Sequence, residues 1–288
     1  MKVLVTGAGG LVGRAVGEHC RNLGDEVFLY QHKELDITDR RAVRETILKT
    51  KPDVVINCAA WTHVDACESD PDRAFADNAT GPENLAAACK EADCRFVTIS
   101  TDYVFDGEKA GFYTQEDEPN PQNVYAASKL EGERLAAQTN DRVLIVRTGY
   151  IFGRGGANFL CTVVDRAKRG EKLKVISDQY GTPTYAKDLA ARLRQLAEIG
   201  APGIYHVVNG GDGASFEEFA RKAVELVGNP QASIESVSAA ALNRPAKRPR
   251  NSRLRCLVSE TIGLAPLPNW AAALEDFVGT EPQITQIS

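Results

Sequence analysis

Three glycines, Gly7, Gly10 and Gly13, directly follow a short apolar run, Lys2-Val-Leu-Val5, and open a stretch of helical periodicity, Leu11–Leu23. A strand that enters a helix through such a turn leaves few folds open. The turn needs backbone freedom, and bare Cα positions let a pyrophosphate approach closely. The helix behind it adds free N–H groups and the positive end of its dipole. The spacing is Gly-x-x-Gly-x-x-Gly rather than the commoner Gly-x-Gly-x-x-Gly. In its strand–turn–helix context this segment is the candidate seat of a dinucleotide.

The rest of the chain carries the rhythm that this turn requires. Strand-like runs occur at Lys2–Val5, Glu26–Tyr30, Val54–Asn57, Arg95–Ser100, Arg142–Arg147 and Ile204–Val208. Helical patterns alternate with them at Leu11–Leu23, Asp39–Lys49, Pro71–Glu91, Val124–Gln138 and Lys187–Ile199, with Asp39 and Asp188 as acidic starts. This βαβα alternation predicts an α/β protein, a Rossmann-type doubly wound parallel sheet with helices on both faces. After about residue 208 the rhythm changes to helical patterns at Phe216–Val227 and Asn269–Phe277 joined by Pro-rich connections, and Arg154–Val175 reads as an insertion away from the sheet. The expected organisation is a Rossmann domain over 1–150, completed by about 185–208, and a small C-terminal substrate-binding lobe from about 151–184 and 209–288.

A chain of 288 residues readily supplies the core for this arrangement. Its net charge of −5 argues against general nucleic-acid binding. No apolar run has the length of a membrane span, and the N-terminal run, cut short at Gly7, is too short for a signal peptide, so a cytoplasmic location is expected. The seven cysteines contain no Cys-x-x-Cys pair, and with four histidines no metal-ligand spacing arises. The cysteines read as small, mostly buried hydrophobes with free thiols.

Selectivity for NAD usually rests on an acid at the end of the second strand. Here that strand ends Tyr30-Gln31-His32-Lys33, so the acid is absent and His32 and Lys33 are placed to meet a 2′-phosphate, unless the loop is simply solvated. This favours NADPH, or tolerance of both NADPH and NADH. Asp36-Ile37 follows where it can flank an adenine, and Asn57-Cys-Ala-Ala-Trp-Thr62 ends the third strand with small residues.

Tyr125 and Lys129 lie four apart on a predicted helix and so share one face. A phenol beside an ammonium can give a proton to a carbonyl oxygen, and the lysine and a nicotinamide charge are expected to lower a phenol pKa that is about 10 in water. The fourth strand ends Ser100-Thr101-Asp102-Tyr103, in the position where open α/β sheets bind ligands, and Thr101 can donate to a substrate oxygen. Near the C-terminus Arg244, Lys247, Arg248, Arg250, Arg253 and Arg255 crowd one stretch. That cluster suits a diphosphate, with Arg248 as its clamp, or is a solvated basic face.

At these residues the chain resembles the extended short-chain dehydrogenase/reductases, and within them the dTDP-4-dehydrorhamnose reductase family. The matching strings span nearly the whole chain: Thr6-Gly-x-x-Gly-x-x-Gly13, Leu35-Asp-Ile-Thr-Asp39, Asn57-Cys-Ala-Ala-Trp-Thr-x-Val-Asp65, Ser100-Thr-Asp-Tyr-Val-Phe-Asp-Gly107, Asn123-Val-Tyr-x-x-Ser-Lys129, Arg147-Thr148, Asp178-Gln-x-Gly-x-Pro-Thr184 and Arg248-Pro-x-x-Ser-x-Leu254. The resemblance implies that NAD(P)H reduces the 4-keto group of dTDP-4-dehydro-L-rhamnose to dTDP-L-rhamnose. It implies Tyr125 as proton donor, supported by Lys129 and Thr101. Gly7, Gly10, Leu11, Val12, Gly13, Asp36, Ile37, Ala60, Trp61 and Thr62, together with Tyr125 and Lys129, would line the cofactor, and Thr101, Asp102 and Tyr150 would touch the dTDP-sugar. Tyr150 stands where a tryptophan is often found. Some members dimerise through a magnesium ion held by glutamates; a homodimer is therefore open, and no residue here is assigned to Mg2+. The rival readings are a reductase of another dTDP-4-keto-6-deoxy sugar, a non-catalytic NADP-binding regulatory subunit of the same fold, and a sugar-nucleotide epimerase or dehydratase, which needs further acid/base groups.

Overall fold

The computed structural model describes residues 1–280. Strands β1 (Lys2–Thr6), β2 (Glu26–Tyr30), β3 (Val54–Asn57), β4 (Arg95–Thr101) and β5 (Val143–Thr148) come first. Four short ones follow, β6 (Ile151–Phe152), β7 (Lys172–Ile176), β8 (Tyr180–Gly181) and β9 (Thr184–Tyr185), then β10 (Gly203–His206), β11 (Ala214–Ser215) and β12 (Ser233–Val237). The helices are α1 (Leu11–Asn22), α2 (Arg40–Thr50), α3 (Val64–Ser69), α4 (Pro71–Phe75), α5 (Gly81–Glu91), α6 (Val124–Thr139), α7 (Phe159–Lys168), α8 (Ala186–Ile199), α9 (Phe216–Val227) and α10 (Trp270–Thr280).

Six strands form one sheet in the order β10-β5-β4-β3-β1-β2, every pair parallel. Alternation along β1 explains the two-sided burial. Val3 and Val5 face a cluster with Val16 and Cys20 of α1 and Leu189 and Leu193 of α8. Leu4 faces the other, with Val43 and Ile47 of α2, Leu85 of α5 and Phe96. β3 and β5 are buried at every position, as strands covered on both faces must be. The chain leaves β1 for β2 on one side and returns through β3 on the other. The carboxyl ends of β1 and β3 therefore border the crevice where such sheets take ligands.

A separate core lies beyond β5. Phe152 of β6 packs on Tyr185, Phe219 and Phe277 at ring-centroid distances of 5.2, 5.1 and 5.6 Å. Within it β7 pairs with β12 and β8 with β11. The stretch read as an insertion holds α7 and most of β7. Two readings change. The span Pro71–Glu91 is not one helix: a π-helical turn, Ala76–Thr80, separates α4 from α5. Asp39 does cap α2, accepting from Arg41 N–H and Ala42 N–H, whereas Asp188 sits inside α8 and accepts from Asn209 at 2.7 Å.

Candidate active site

Gly7 makes the turn after β1 with φ +65, and a Cβ there would stand 2.5 Å from Ala59 N. A Cβ on Gly13 would meet the Gly7 carbonyl oxygen at 2.3 Å, so this pair is glycine because the backbone crosses itself. Gly10 is the N-cap of α1 without a side-chain cap, and a Cβ on it would approach only Gly7 O, at 3.3 Å. The start of the helix thus keeps its N–H groups for a ligand. The carboxyl ends of three strands are tied together: Thr6 Oγ1 donates to Asn57 Oδ1 at 2.7 Å, and Asn57 Nδ2 donates to Thr98 Oγ1 at 3.1 Å.

Above these ends lies a cleft of about 490 Å³. Of the expected residues, Gly7, Gly10, Ile37, Ala60 and Trp61 line it. Leu11, Val12, Gly13, Asp36 and Thr62 are not in its described lining; Gly13 packs under the turn, and Asp36 closes a local turn by accepting from Thr38 N–H and Oγ1. His32 lines the cleft and Lys33 does not. The carboxylate of Glu34 folds back to accept from Gln31 N–H at 2.7 Å. Gln31 and Arg73 also face the cleft. Neither stands out in the sequence, because a lone Gln or Arg carries no spacing signal.

α6 carries Tyr125 and Lys129, the pair expected to serve proton transfer. Asn123 caps it by accepting from Ala126 N–H at 2.8 Å, and Glu68 of α3 accepts from Val124 N–H at 2.8 Å. Tyr125 thereby sits in a first turn fixed from two sides. Burial raises its phenol above the usual range, and the neighbouring Thr101 hydroxyl holds it down in part. The expected lowering by Lys129 does not occur in this arrangement. Lys129 Nζ instead donates to Ile99 O at 2.6 Å, and burial takes its pKa down to about 8.

Thr101 ends β4, accepts from Tyr103 N–H and donates to Asp102 Oδ1 at 3.1 Å. Burial pushes Asp102 up to about 7, against the hydroxyls of Ser252 and Thr101. Its Oδ2 is buried without a partner in good hydrogen-bond geometry among the described residues. Gly149 makes room for this carboxyl, since a Cβ there would lie 2.3 Å from Asp102 Cγ. Tyr150 follows with φ +47, a costly backbone conformation for a tyrosine, and stacks on Phe216 at 4.5 Å. Tyr103 meets Tyr125 edge-on at 6.3 Å. The sequence assigns no role to Gly149 or Ser252, because each meets Asp102 only through a contact between segments distant along the chain.

The basic stretch divides. Arg253 and Arg255 lie over the Phe112 ring, at 5.4 and 4.1 Å. Arg248 forks onto Asp65 of α3 with contacts of 2.6 and 2.7 Å, holding that carboxyl down at about 2. Both Nη groups expected on a diphosphate are therefore engaged within the protein. Arg244 is exposed, and its charge reaches Tyr103 and Tyr150.

A parallel sheet with this switch point, a glycine cradle that excludes any Cβ, and a Tyr–Lys pair beside a Thr at the next strand end define a dinucleotide-dependent short-chain reductase fold and site. The RmlD substrate binding domain model matches residues 1–281. The chain belongs to that family. A dTDP-4-dehydrorhamnose reductase of Mycolicibacterium smegmatis is 39% identical over 280 residues, 96% of this chain and 85% of that protein. The crystal structure of a dTDP-4-dehydrorhamnose reductase from Clostridium acetobutylicum superposes with TM-score 0.92 at 39% identity, covering 97% of this chain and 99% of that one. Its counterpart from Bacillus anthracis, solved in complex with NADP, gives TM-score 0.92 at 34% identity over 96% of this chain and 98% of that one.

Proposed function

We propose that the protein reduces the 4-keto group of dTDP-4-dehydro-L-rhamnose with NADPH, yielding dTDP-L-rhamnose. The observation that carries this reading is the meeting of Tyr125 and Thr101 at the carboxyl end of β4, with Lys129 one turn along α6. A regulatory role has no use for this complete set. The glycine cradle and the uncapped start of α1 fit a pyrophosphate. A bound reduced nicotinamide supplies the hydride that the carbonyl carbon needs. The chain's own residues do the rest. Tyr125 is protonated at neutrality because burial raises it, which is the state a proton donor requires. Thr101 donates to the same substrate oxygen, and Asp102, near its midpoint at neutrality, meets sugar hydroxyls as donor or acceptor. NADPH is the favoured cofactor, because His32 lines the cleft and the first acid after β2 in the sequence, Glu34, is turned onto Gln31 N–H. The test is incubation of purified protein and either cofactor with enzymatically generated dTDP-4-dehydrorhamnose, with the product identified by NMR. Another epimer of the product sugar, or no turnover, would refute the assignment.

The Lys129 ammonium sets a pH limit. With its pKa down at about 8, the charged form is lost as pH rises through that value. The profile of kcat/KM is expected to fall above about pH 8, and Lys129→Arg, which stays charged, to carry the plateau at least one unit higher. Asp102→Asn separates this limb from titration of Asp102 at about 7.

We also propose that Arg248 acts by positioning. Asp65→Ala and Arg248→Ala should each raise the KM for the sugar nucleotide about tenfold, with the double variant no worse than either. An increase confined to Arg248→Ala would show direct contact with the diphosphate instead.

A further inference from the structure

Arg73 stands at the cleft with no task in the reading above. Asp70 caps α4 and accepts from Arg73 N–H at 3.2 Å, which fixes the backbone at Arg73. The guanidinium lies over the Trp61 ring, 4.4 Å from its centroid. The backbone of Trp61 is held by Asn78, which accepts from its N–H at 2.8 Å and donates to its carbonyl at 3.1 Å, and by Cys67 Sγ, which donates to the same carbonyl at 3.9 Å. The backbone that carries the ring under Arg73 is therefore fixed. The acid beside it is Asp77, 3.4 Å from Nε, a long contact on a side chain 57% exposed. Among the described residues no protein acceptor engages Nη1 or Nη2.

The end of β2 and the loop after β3 flank β1 on its two sides. His32 and Arg73 thus approach one cleft from opposite walls, with the glycine turn between them. A guanidinium laid flat on an aromatic ring keeps its N–H edges outward, the geometry that grips phosphate. We infer that Arg73, seated on Trp61, is a phosphate ligand of the dinucleotide and closes the cleft over it. The inference rests on the reading of this cleft as a dinucleotide site, and goes beyond it in naming the residue opposite the glycine turn.

The experiment is equilibrium binding of NADPH and of NADH to wild type, Arg73→Ala and Arg73→Lys, at low and high salt, with melting temperatures as the check on folding. Arg73→Ala is expected to weaken binding about 5- to 20-fold, with the deficit shrinking in salt and Arg73→Lys recovering part of it. Equal losses for both cofactors would place Arg73 on the pyrophosphate; a loss confined to NADPH would place it on the 2′-phosphate. Both outcomes support the inference. Unchanged binding of both cofactors by Arg73→Ala overturns it, while a wild type that binds neither overturns the dinucleotide reading itself. If Arg73→Ala fails to fold, Arg73→Met keeps the aliphatic stem on Trp61 and answers the same question.

Discussion

Replacing Tyr125 by Phe is expected to lower kcat by about 10²–10⁴-fold, the range that general acid catalysis usually contributes. The ring keeps its edge-on contact with Tyr103, and α6 keeps the caps supplied by Asn123 and Glu68, so the fold should be unaffected. Only the hydroxyl shared with Thr101 is lost. Cofactor binding should change little, because Tyr125 is not part of the cleft's described lining. Single-turnover measurement of the chemical step is the check, since slow product release would hide a moderate loss. Near-wild-type chemistry would remove the phenol from the mechanism and leave Asp102 as the alternative acid. Thr101→Val should also slow the step, by a smaller factor, because it removes a polarising donor and leaves the acid.

Glu133→Ala is expected to have the largest effect on stability. Glu133 lies one turn beyond Lys129 on α6 and holds Arg147 of β5 through three contacts of 2.7 to 3.2 Å. Their side chains are only 5% and 3% exposed. Losing the carboxylate strands a buried guanidinium, which typically costs about 3–5 kcal/mol. Thermal unfolding should shift down by roughly 6–20 °C for a domain of this size. A double replacement of Glu133 and Arg147 by apolar residues of similar volume should recover much of that loss, because no charge is then left unpaired. Glu133→Gln offers a second reading. The carboxylate also raises the pKa of Lys129, so its removal should move the alkaline limb of kcat/KM to lower pH. A midpoint within 1 °C of wild type for Glu133→Ala would mean that the surroundings reorganise to solvate Arg147.

The parts legible in the sequence were those carried by short-range patterns. Apolar runs placed β2 and β3 to the residue, and the glycine spacing found the turn that the backbone crossing at Gly7 and Gly13 requires. α6 was read over Val124–Gln138, one residue short of its end at Thr139. The sequence gives no amphipathic stripe there, because the helix buries Ser128, Lys129 and Glu133 alongside its apolar residues. Contacts between distant segments were out of reach. Nothing local links Arg248 to Asp65 or Gly149 to Asp102. The basic stretch reads as one charge cluster, whereas Arg248 is placed by Asp65 and Arg253 and Arg255 by the Phe112 ring. Pro71–Glu91 reads as one helix because the π turn has the composition of its flanks.

That π turn has a consequence for what the family can tolerate by insertion or deletion. Asn78 lies within it and spans from the backbone of Trp61 to the Ser128 hydroxyl of α6, at 3.1 Å, while Asn78 O sits where a Cβ on Gly132 would come within 2.1 Å. One residue gained or lost from 76–80 would turn the following helix by about 100° relative to the preceding one. The amide would then leave both partners at once. Length in this segment is thus as tightly specified as residue identity, and the loop after β3 and the helix that carries Tyr125 share a single gauge that sets their spacing.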